Sequence, residues 1–223
     1  MSRFSPRRGL LVLGVMVALS AAAIAVTVGA GSAAAANPWI VANTAPGTGV
    51  PPNFLGGYAM RSLPTVNPFN PEFTDVCGLD VISWVGCTNI RNVGSGWSTW
   101  SHGYTDDVYF CTLANCPGDI MTINLPFNTN AFSFDIESNN FFPTAPATGF
   151  TFIVDASGSA APGITTAVTI APNGVSSARY VGFYSKLPGK ANLIRSLKIT
   201  CLGGCSGFAI GEFKINQAKL TKP

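Results

Sequence analysis

The feature of this sequence that most limits its fold is a series of short segments in which apolar and polar residues alternate. In AFSFDIE (residues 131–137) the apolar side chains are Phe132, Phe134 and Ile136, and polar residues occupy the positions between and after them. A strand places successive side chains on opposite faces, so this period predicts a strand with one buried and one solvated face. Further strands are predicted in the runs FTFIVD, TTAVTI, ARYVGFYS, LIRSLKITC and GFAIGEFKI.

These runs are six to nine residues long, and Gly, Pro and Asn separate them. No window outside the N-terminal region has the spacing of an amphipathic helix. Eight or nine short strands with one wet face predict an all-β fold, an antiparallel two-sheet sandwich of jelly-roll type, over residues 77–223. Residues 37–76 are rich in Pro, Asn and Gly and are predicted to form an extended arm on this domain.

The N-terminal 36 residues have the organisation of a secretory signal peptide. Three arginines precede an apolar run over residues 10–28, and small residues follow it up to Ala36. A basic start, an apolar run and an A-x-A site predict cleavage after Ala36, which leaves Asn37 as the first residue. The alternative is an uncleaved membrane anchor, because the apolar run is just long enough to span a bilayer.

Removal of residues 1–36 changes the charge of the chain. The whole sequence has 13 Lys and Arg against 10 Asp and Glu, and the removed segment contains three of the basic residues, Arg3, Arg7 and Arg8. The mature chain is therefore neutral, and the electrostatic basis for binding nucleic acid is lost.

Six cysteines follow the predicted cleavage site, which is typical of an exported protein with disulfide bonds. Their spacing favours three local loops, Cys77–Cys87, Cys111–Cys116 and Cys201–Cys205. Six cysteines allow fifteen pairings, so this connectivity is a prediction from proximity alone. A zinc site made of these cysteines is disfavoured because no C-x2-C pair occurs.

Four stretches in one order resemble a known type of exported domain: WSHGYTDDVY, TINLPFNTNAFSFDIESNNF, ARYVGFYS and SLKITCLGGCSGFAIGEF. They resemble the secreted β-sandwich domains of bacterial PEP-CTERM-type exported proteins, over about residues 97–213. The resemblance implies a β-sandwich outside the cell and no catalytic residues. The C-terminal KINQAKLTKP lacks the Pro-Glu-Pro sorting signal of that family, so we expect release or attachment by other means.

No catalytic residues are predicted. His102, the one histidine of the chain, follows Ser101, but neighbouring strand residues point to opposite faces and no orienting carboxylate stands at a suitable spacing. We therefore expect the stretch WSTWSHGYTDDVYF (97–110) to form a hairpin. The alternative is a carbohydrate-active enzyme that uses Asp135 and Glu137, which share one strand face as paired carboxylates would.

Two kinds of binding site are predicted. The aromatic residues Trp97, Trp100, Tyr104 and Tyr109 are candidates for a platform on which sugar rings stack. A structural calcium ion would be bound by hard oxygen ligands, for which the candidates are Asp106, Asp107, Asp135 and Asn139. No other cofactor is expected.

Together these features predict an exported, non-catalytic binding or structural protein of the cell surface or extracellular matrix. Its expected partners are an extracellular glycan or another surface protein, without nucleic acid, and with a membrane only if the N-terminal segment is retained. A self-assembling surface protein is a further alternative, favoured if the Pro-rich arm docks on a neighbouring copy.

Overall fold

The computed structural model of the chain describes residues 40–43, 50–65, 73–139, 150–158, 164–170, 178–186, 193–203 and 205–218. The predicted signal peptide and its cleavage site lie outside the described residues. The described ranges contain no helix with the length and hydrophobicity that a membrane span requires. Their strands are β1 (Ile40–Asn43), β2 (Phe54–Leu55), β3 (Tyr58–Ala59), β4 (Arg61–Ser62), β5 (Asp75–Leu79), β6 (Ile82–Asn92), β7 (Asp107–Cys111), β8 (Ile120–Ser138), β9 (Phe150–Gly158), β10 (Ile164–Ile170), β11 (Arg179–Ser185), β12 (Ile194–Leu202) and β13 (Phe208–Gln217).

Eleven of these strands are connected by hydrogen bonds, and every pairing between them is antiparallel. The long strand β8 joins the two layers of the sandwich. Its first part pairs with β12 and β6, and its second part pairs with β11 and β13. The predicted all-β antiparallel sandwich is confirmed. More strands occur than the eight or nine predicted, because the arm also contributes short strands, β1 to β4.

The core lies between the layers and contains the apolar side of β8. Phe132, Phe134 and Ile136 are fully buried, as their spacing predicts. Phe213 of β13 packs against Phe132 and Phe134, with ring centroids 6.0 and 6.4 Å apart. Burying each such side chain stabilises the folded state by about 1.5–3 kcal/mol relative to leaving it exposed. The alternating pattern of β8 therefore determines which of its faces points inward.

Over residues 131–137 the opposite face of β8 is not solvated, which corrects the prediction of a wet face in AFSFDIE. Ser133, Asp135 and Glu137 are each fully buried. The connection between β6 and β7, residues 93–106, lies over them; we call it the covering segment. Its Trp97 and Trp100 form a second apolar cluster with Val108 of β7, Ala178 before β11 and Ala209 of β13. The alternating pattern identified the two faces but could not show that a loop covers one of them.

The three predicted disulfide bonds are present. Cys77 pairs with Cys87, Cys111 with Cys116, and Cys201 with Cys205, and no described cysteine is free. Each bond closes a loop within one stretch of chain, as expected from proximity. The bonds indicate folding in an oxidising environment.

Candidate functional site

The covering segment is attached to the outer face of the sheet by hydrogen bonds. Trp97 Nε1 and Thr99 Oγ1 donate to the two carboxylate oxygens of Glu137, at 2.6 and 2.9 Å. Ser101 Oγ donates to the carbonyl oxygen of Ala178 at 2.5 Å. Both oxygens of Glu137 are thus occupied in attaching the covering segment, which does not favour the alternative of an active site that pairs Asp135 with Glu137.

The covering segment then turns at residues 101–104 and directs its histidine inward. The amide of Tyr104 donates to the carbonyl of Ser101, and both His102 (φ 43°) and Gly103 (φ 76°) have left-handed backbone. His102 Nε2 lies 2.9 Å from Glu212 Oε1 and 3.8 Å from Asp135 Oδ2. The prediction that His102 has no orienting carboxylate is therefore wrong, because both carboxylates come from strands that are distant in sequence.

Glu212 reaches the imidazole because β13 contains a bulge. The pairing of β13 with β8 shifts between Gly211 and Lys214, and Glu212 has a φ of 52°. A bulge adds one residue to a strand and turns its side chain away from the regular alternation. Sequence reasoning missed Glu212, although a glycine followed by a charged residue inside the apolar run GFAIGEFKI was the available signal.

The buried acids of this site have raised pKa values. Burial, and secondarily the negative charge of Glu212, raise the pKa of Asp135 to about 8, while the Lys214 ammonium opposes the shift. Burial also raises the pKa of Glu212, against the effect of a hydrogen bond from Trp100 Nε1 at 2.7 Å. An isolated charge in a dry interior is unfavourable, so a neutral carboxyl is preferred there.

Lys214 is the nearby cation, but its contacts are directed towards the arm. Burial lowers the pKa of Lys214, in opposition to the charges of Glu212 and Asp135. Its Nζ donates to the carbonyl oxygen of Pro51 at 2.6 Å and to Asn53 Oδ1 at 2.9 Å. The ammonium thus fixes residues 51–53 on the domain and makes no hydrogen bond to Asp135.

The site lies behind an open cleft of about 520 Å³ between the arm and β13, which we call the arm cleft. Its described walls are formed by Ser62, Leu63, Pro64, Thr65, Tyr104, Asp106, Glu212, Phe213 and Lys214. Asp106 is exposed, whereas Tyr104 and Glu212 are half-buried. Asp135 and His102 are not among the described wall residues, so Glu212 is the member of the cluster that faces the cleft.

The four predicted sugar-binding aromatics do not form one exposed platform. Trp97 and Trp100 are 3% and 5% exposed, because the covering segment packs them against the sheet. Tyr109 lies on the other side of β7, in the main core against Trp84 and Phe213. Tyr104 alone of the four lines the arm cleft. Burial of a large aromatic ring stabilises a β-sandwich, which explains why Trp97, Trp100 and Tyr109 are buried.

The four predicted calcium ligands do not converge either. Asp107 is buried and accepts a hydrogen bond from Asn92 Nδ2, and Asn139 Nδ2 donates to the carbonyl oxygen of Ser206 at 3.1 Å. Asp106 lies in the cleft, while Asp135 lies behind it. Among the described residues, the one group of three His, Cys, Asp or Glu side chains with converging ligand atoms is His102, Asp135 and Glu212, within 4.8 Å of one another.

These features define a disulfide-bonded antiparallel β-sandwich with a buried imidazole–carboxylate cluster behind an open cleft. No protein-family model and no curated protein matches the chain. Among solved structures, it is similar to one described as the apo form of a cyclase from Fischerella sp., with 12% sequence identity and a TM-score of 0.41. The match covers 72% of this chain and 98% of the other.

Proposed function

We propose that the protein is exported and acts as a non-catalytic binding protein of the cell surface or extracellular matrix, with carbohydrate as its ligand class. The observation that supports this is the arm cleft, which has a volume typical of small-molecule sites. The export proposal is supported by the three disulfide bonds and by the N-terminal sequence pattern.

The cleft walls have the groups that sugar binding requires. Asp106 and Glu212 supply carboxylate oxygens, which accept hydrogen bonds from vicinal hydroxyls. Ser62 and Thr65 add hydroxyl groups that both donate and accept, and Tyr104 adds an aromatic ring. A mixture of acceptors, hydroxyls and one ring suits a polyhydroxylated ligand better than a purely apolar one.

A carbohydrate-active enzyme is supported less well. Asp135 and Glu212 have oxygens within 4.8 Å of each other, which is close to the separation of about 5–5.5 Å in retaining glycosidases. Both carboxyl groups of such an enzyme must reach the sugar, yet Asp135 is fully buried and Glu212 separates it from the cleft. Self-assembly through the arm is not favoured by the described residues, since residues 51–63 pack on their own domain.

The test is a glycan-array screen of the exported protein, followed by titration of the glycans that bind. Asp106→Asn should weaken binding by roughly 10–100-fold, because a hydrogen bond to a charged group contributes about 1.5–3 kcal/mol. Asp155→Asn is the matched control, since Asp155 lies on β9 in the other layer. Absence of any bound glycan, or equal weakening by both substitutions, would contradict the proposal.

A further inference from the structure

His102 and Asp135 form a cluster with Glu212. Sugar binding in the arm cleft uses Glu212 alone of the three and does not account for the other two. Asp135 is 0% exposed, and neither of its carboxylate oxygens has a hydrogen-bond partner among the described residues. Buried polar atoms without partners are rare, because each leaves the cost of its desolvation uncompensated. The carboxyl group of Asp135 is therefore a buried hydrogen-bond acceptor without an evident partner. Its Oδ2 lies 3.8 Å from His102 Nε2.

The imidazole is also incompletely paired. Nε2 of His102 lies 2.9 Å from Glu212 Oε1, but the two groups are not aligned as a hydrogen bond. The imidazole nitrogen and the two carboxyl groups thus lie close together, but they are not aligned to form hydrogen bonds with one another. Lys214 does not resolve this, because its ammonium donates to Pro51 and Asn53.

We propose that His102, Asp135 and Glu212 bind a divalent transition-metal ion of the zinc type. Imidazole nitrogen and carboxylate oxygen are both among the ligands that ions of this class bind in proteins, and the imidazole favours them over Mg²⁺ and Ca²⁺. Tetrahedral ligands about 2.0–2.1 Å from zinc lie roughly 3.3 Å from one another. The separations of 2.9 and 3.8 Å from His102 Nε2 bracket that value, and all three ligand atoms lie within 4.8 Å of one another. Side-chain rotations that draw the two carboxyl groups together would accommodate an ion.

The charge and the coordination number are consistent with this class of ion. A divalent cation compensates two carboxylates that otherwise share one imidazole. Calcium is disfavoured, because it takes six to eight oxygen ligands and no nitrogen. Three protein ligands leave one position open, as in zinc sites that also bind water or substrate.

Backbone and neighbouring side chains hold the proposed ligands in place. His102 and Glu212 both have left-handed backbone, a conformation that is unfavourable for non-glycine residues and is concentrated at functional sites. Trp100 Nε1 donates to Glu212 Oε1 at 2.7 Å and so orients that carboxylate. Outer partners of this kind are common around metal ligands.

The single histidine gives a direct test. Untagged protein, expressed from the full sequence and stripped with EDTA, is titrated with Zn²⁺ while the imidazole nitrogens are followed by ¹⁵N NMR. Because His102 is the one histidine in the chain, its signals need no assignment by mutation. We expect one Zn²⁺ per chain and a shift of the Nε2 resonance, with a visible tetrahedral spectrum when Co²⁺ replaces zinc.

Variants locate the ion. His102→Phe, Asp135→Asn and Glu212→Gln should each weaken Zn²⁺ binding by about 100-fold or more, and Trp100→Phe by about 10–100-fold, as for an outer partner. Asp106→Asn, in the same cleft but outside the cluster, should bind zinc like the wild type. Circular dichroism checks that each variant folds, and the wild-type NMR titration does not depend on any variant.

The proposal is overturned if the Nε2 signal is unchanged at saturating Zn²⁺, or if Asp106→Asn weakens binding as much as Asp135→Asn. Binding of Ca²⁺ with no binding of Zn²⁺ or Co²⁺ would equally contradict the proposed class of ion. Because the readout is metal binding, failure to find a glycan leaves this test unaffected.

Discussion

His102 Nε2 lies 2.9 Å from Oε1 of Glu212, and this contact joins a loop to a strand 110 residues further along the chain. Both residues have left-handed backbone. The turn at Ser101–Tyr104 presents the imidazole, and the bulge in β13 presents the carboxylate. Neither side chain would reach the other from regular strand geometry, so the contact depends on two local departures from it.

Attachment of the covering segment should depend on the donors to Glu137. Thr99→Val keeps the shape of the side chain but removes the hydroxyl that donates to Glu137 Oε1. We expect a loss of about 1–3 kcal/mol in the free energy of unfolding, measured by urea denaturation, because a buried carboxylate loses a partner. Thr105→Val, at an exposed position of the same segment, should change it by less than about 0.5 kcal/mol. Equal effects of the two substitutions would mean that the Thr99 hydrogen bond contributes nothing.

Asp135 should make the stability of the metal-free protein fall as the pH rises. Its pKa is about 8 in the folded chain and about 3.9 when unfolded, so the folded state binds the extra proton between these values. The stabilising contribution is complete below about pH 4 and is lost as the pH rises through 8, with a slope of up to about 1.4 kcal/mol per pH unit.

Asp135→Asn should reduce this slope and make the protein more stable than the wild type near pH 8. Urea denaturation in EDTA at several pH values measures the effect, and Asp155→Asn, which is half-buried on β9, should retain the wild-type slope. Parallel curves for the wild type and Asp135→Asn would contradict the raised pKa.

Gly207 should tolerate no side chain. Its φ is 92°, and a Cβ there would lie 2.6 Å from the carbonyl oxygen of Cys111. Gly207→Ala should therefore lower the thermal midpoint far more than Gly57→Ala, whose φ is 86° but whose Cβ would contact nothing within 4 Å. The strain alone is about 1–2 kcal/mol, and the backbone clash adds to it only at Gly207. Similar thermal midpoints for the two variants would show that the backbone at the start of β13 adapts to a methyl group.

The Cys77–Cys87 bond should stabilise the domain by restricting its unfolded chain. The paired residues are 10 positions apart. In the chain-entropy model such a loop contributes about 2.7 kcal/mol. Replacing both cysteines by serine should lower the free energy of unfolding by about that amount. Mass spectrometry of the unreduced protein should find no alkylatable thiol, and six reactive cysteines would contradict the oxidised fold.

The mature protein should begin at Asn37. N-terminal sequencing of exported material measures this directly, and we expect a chain that lacks the arginine-rich start and the apolar run. An intact Met1 recovered in the membrane fraction would show that the segment is retained as an anchor.

The sequence by itself determined the class of fold, and it predicted the disulfide pairing that the structure shows. Alternation in AFSFDIE placed Phe132, Phe134 and Ile136 in the core, because the period of a strand follows from local backbone geometry. The close spacing of Cys201 and Cys205 predicted their bond, since residues four apart meet without help from the rest of the chain. Both results depend on short-range geometry, which can be inferred from residues that are close together in the sequence.

Only the tertiary structure decided what covers the polar face of β8 and which side chains meet there. Asp135 and Glu137 alternate like residues of any wet strand, yet the covering segment buries both of them. Glu212 reaches His102 through a bulge whose position depends on pairing with β8. Long-range contacts of this kind depend on strand register and on loop placement, and the sum of many weak packing terms fixes both. Local sequence periodicity therefore does not predict the strand register or the loop placement.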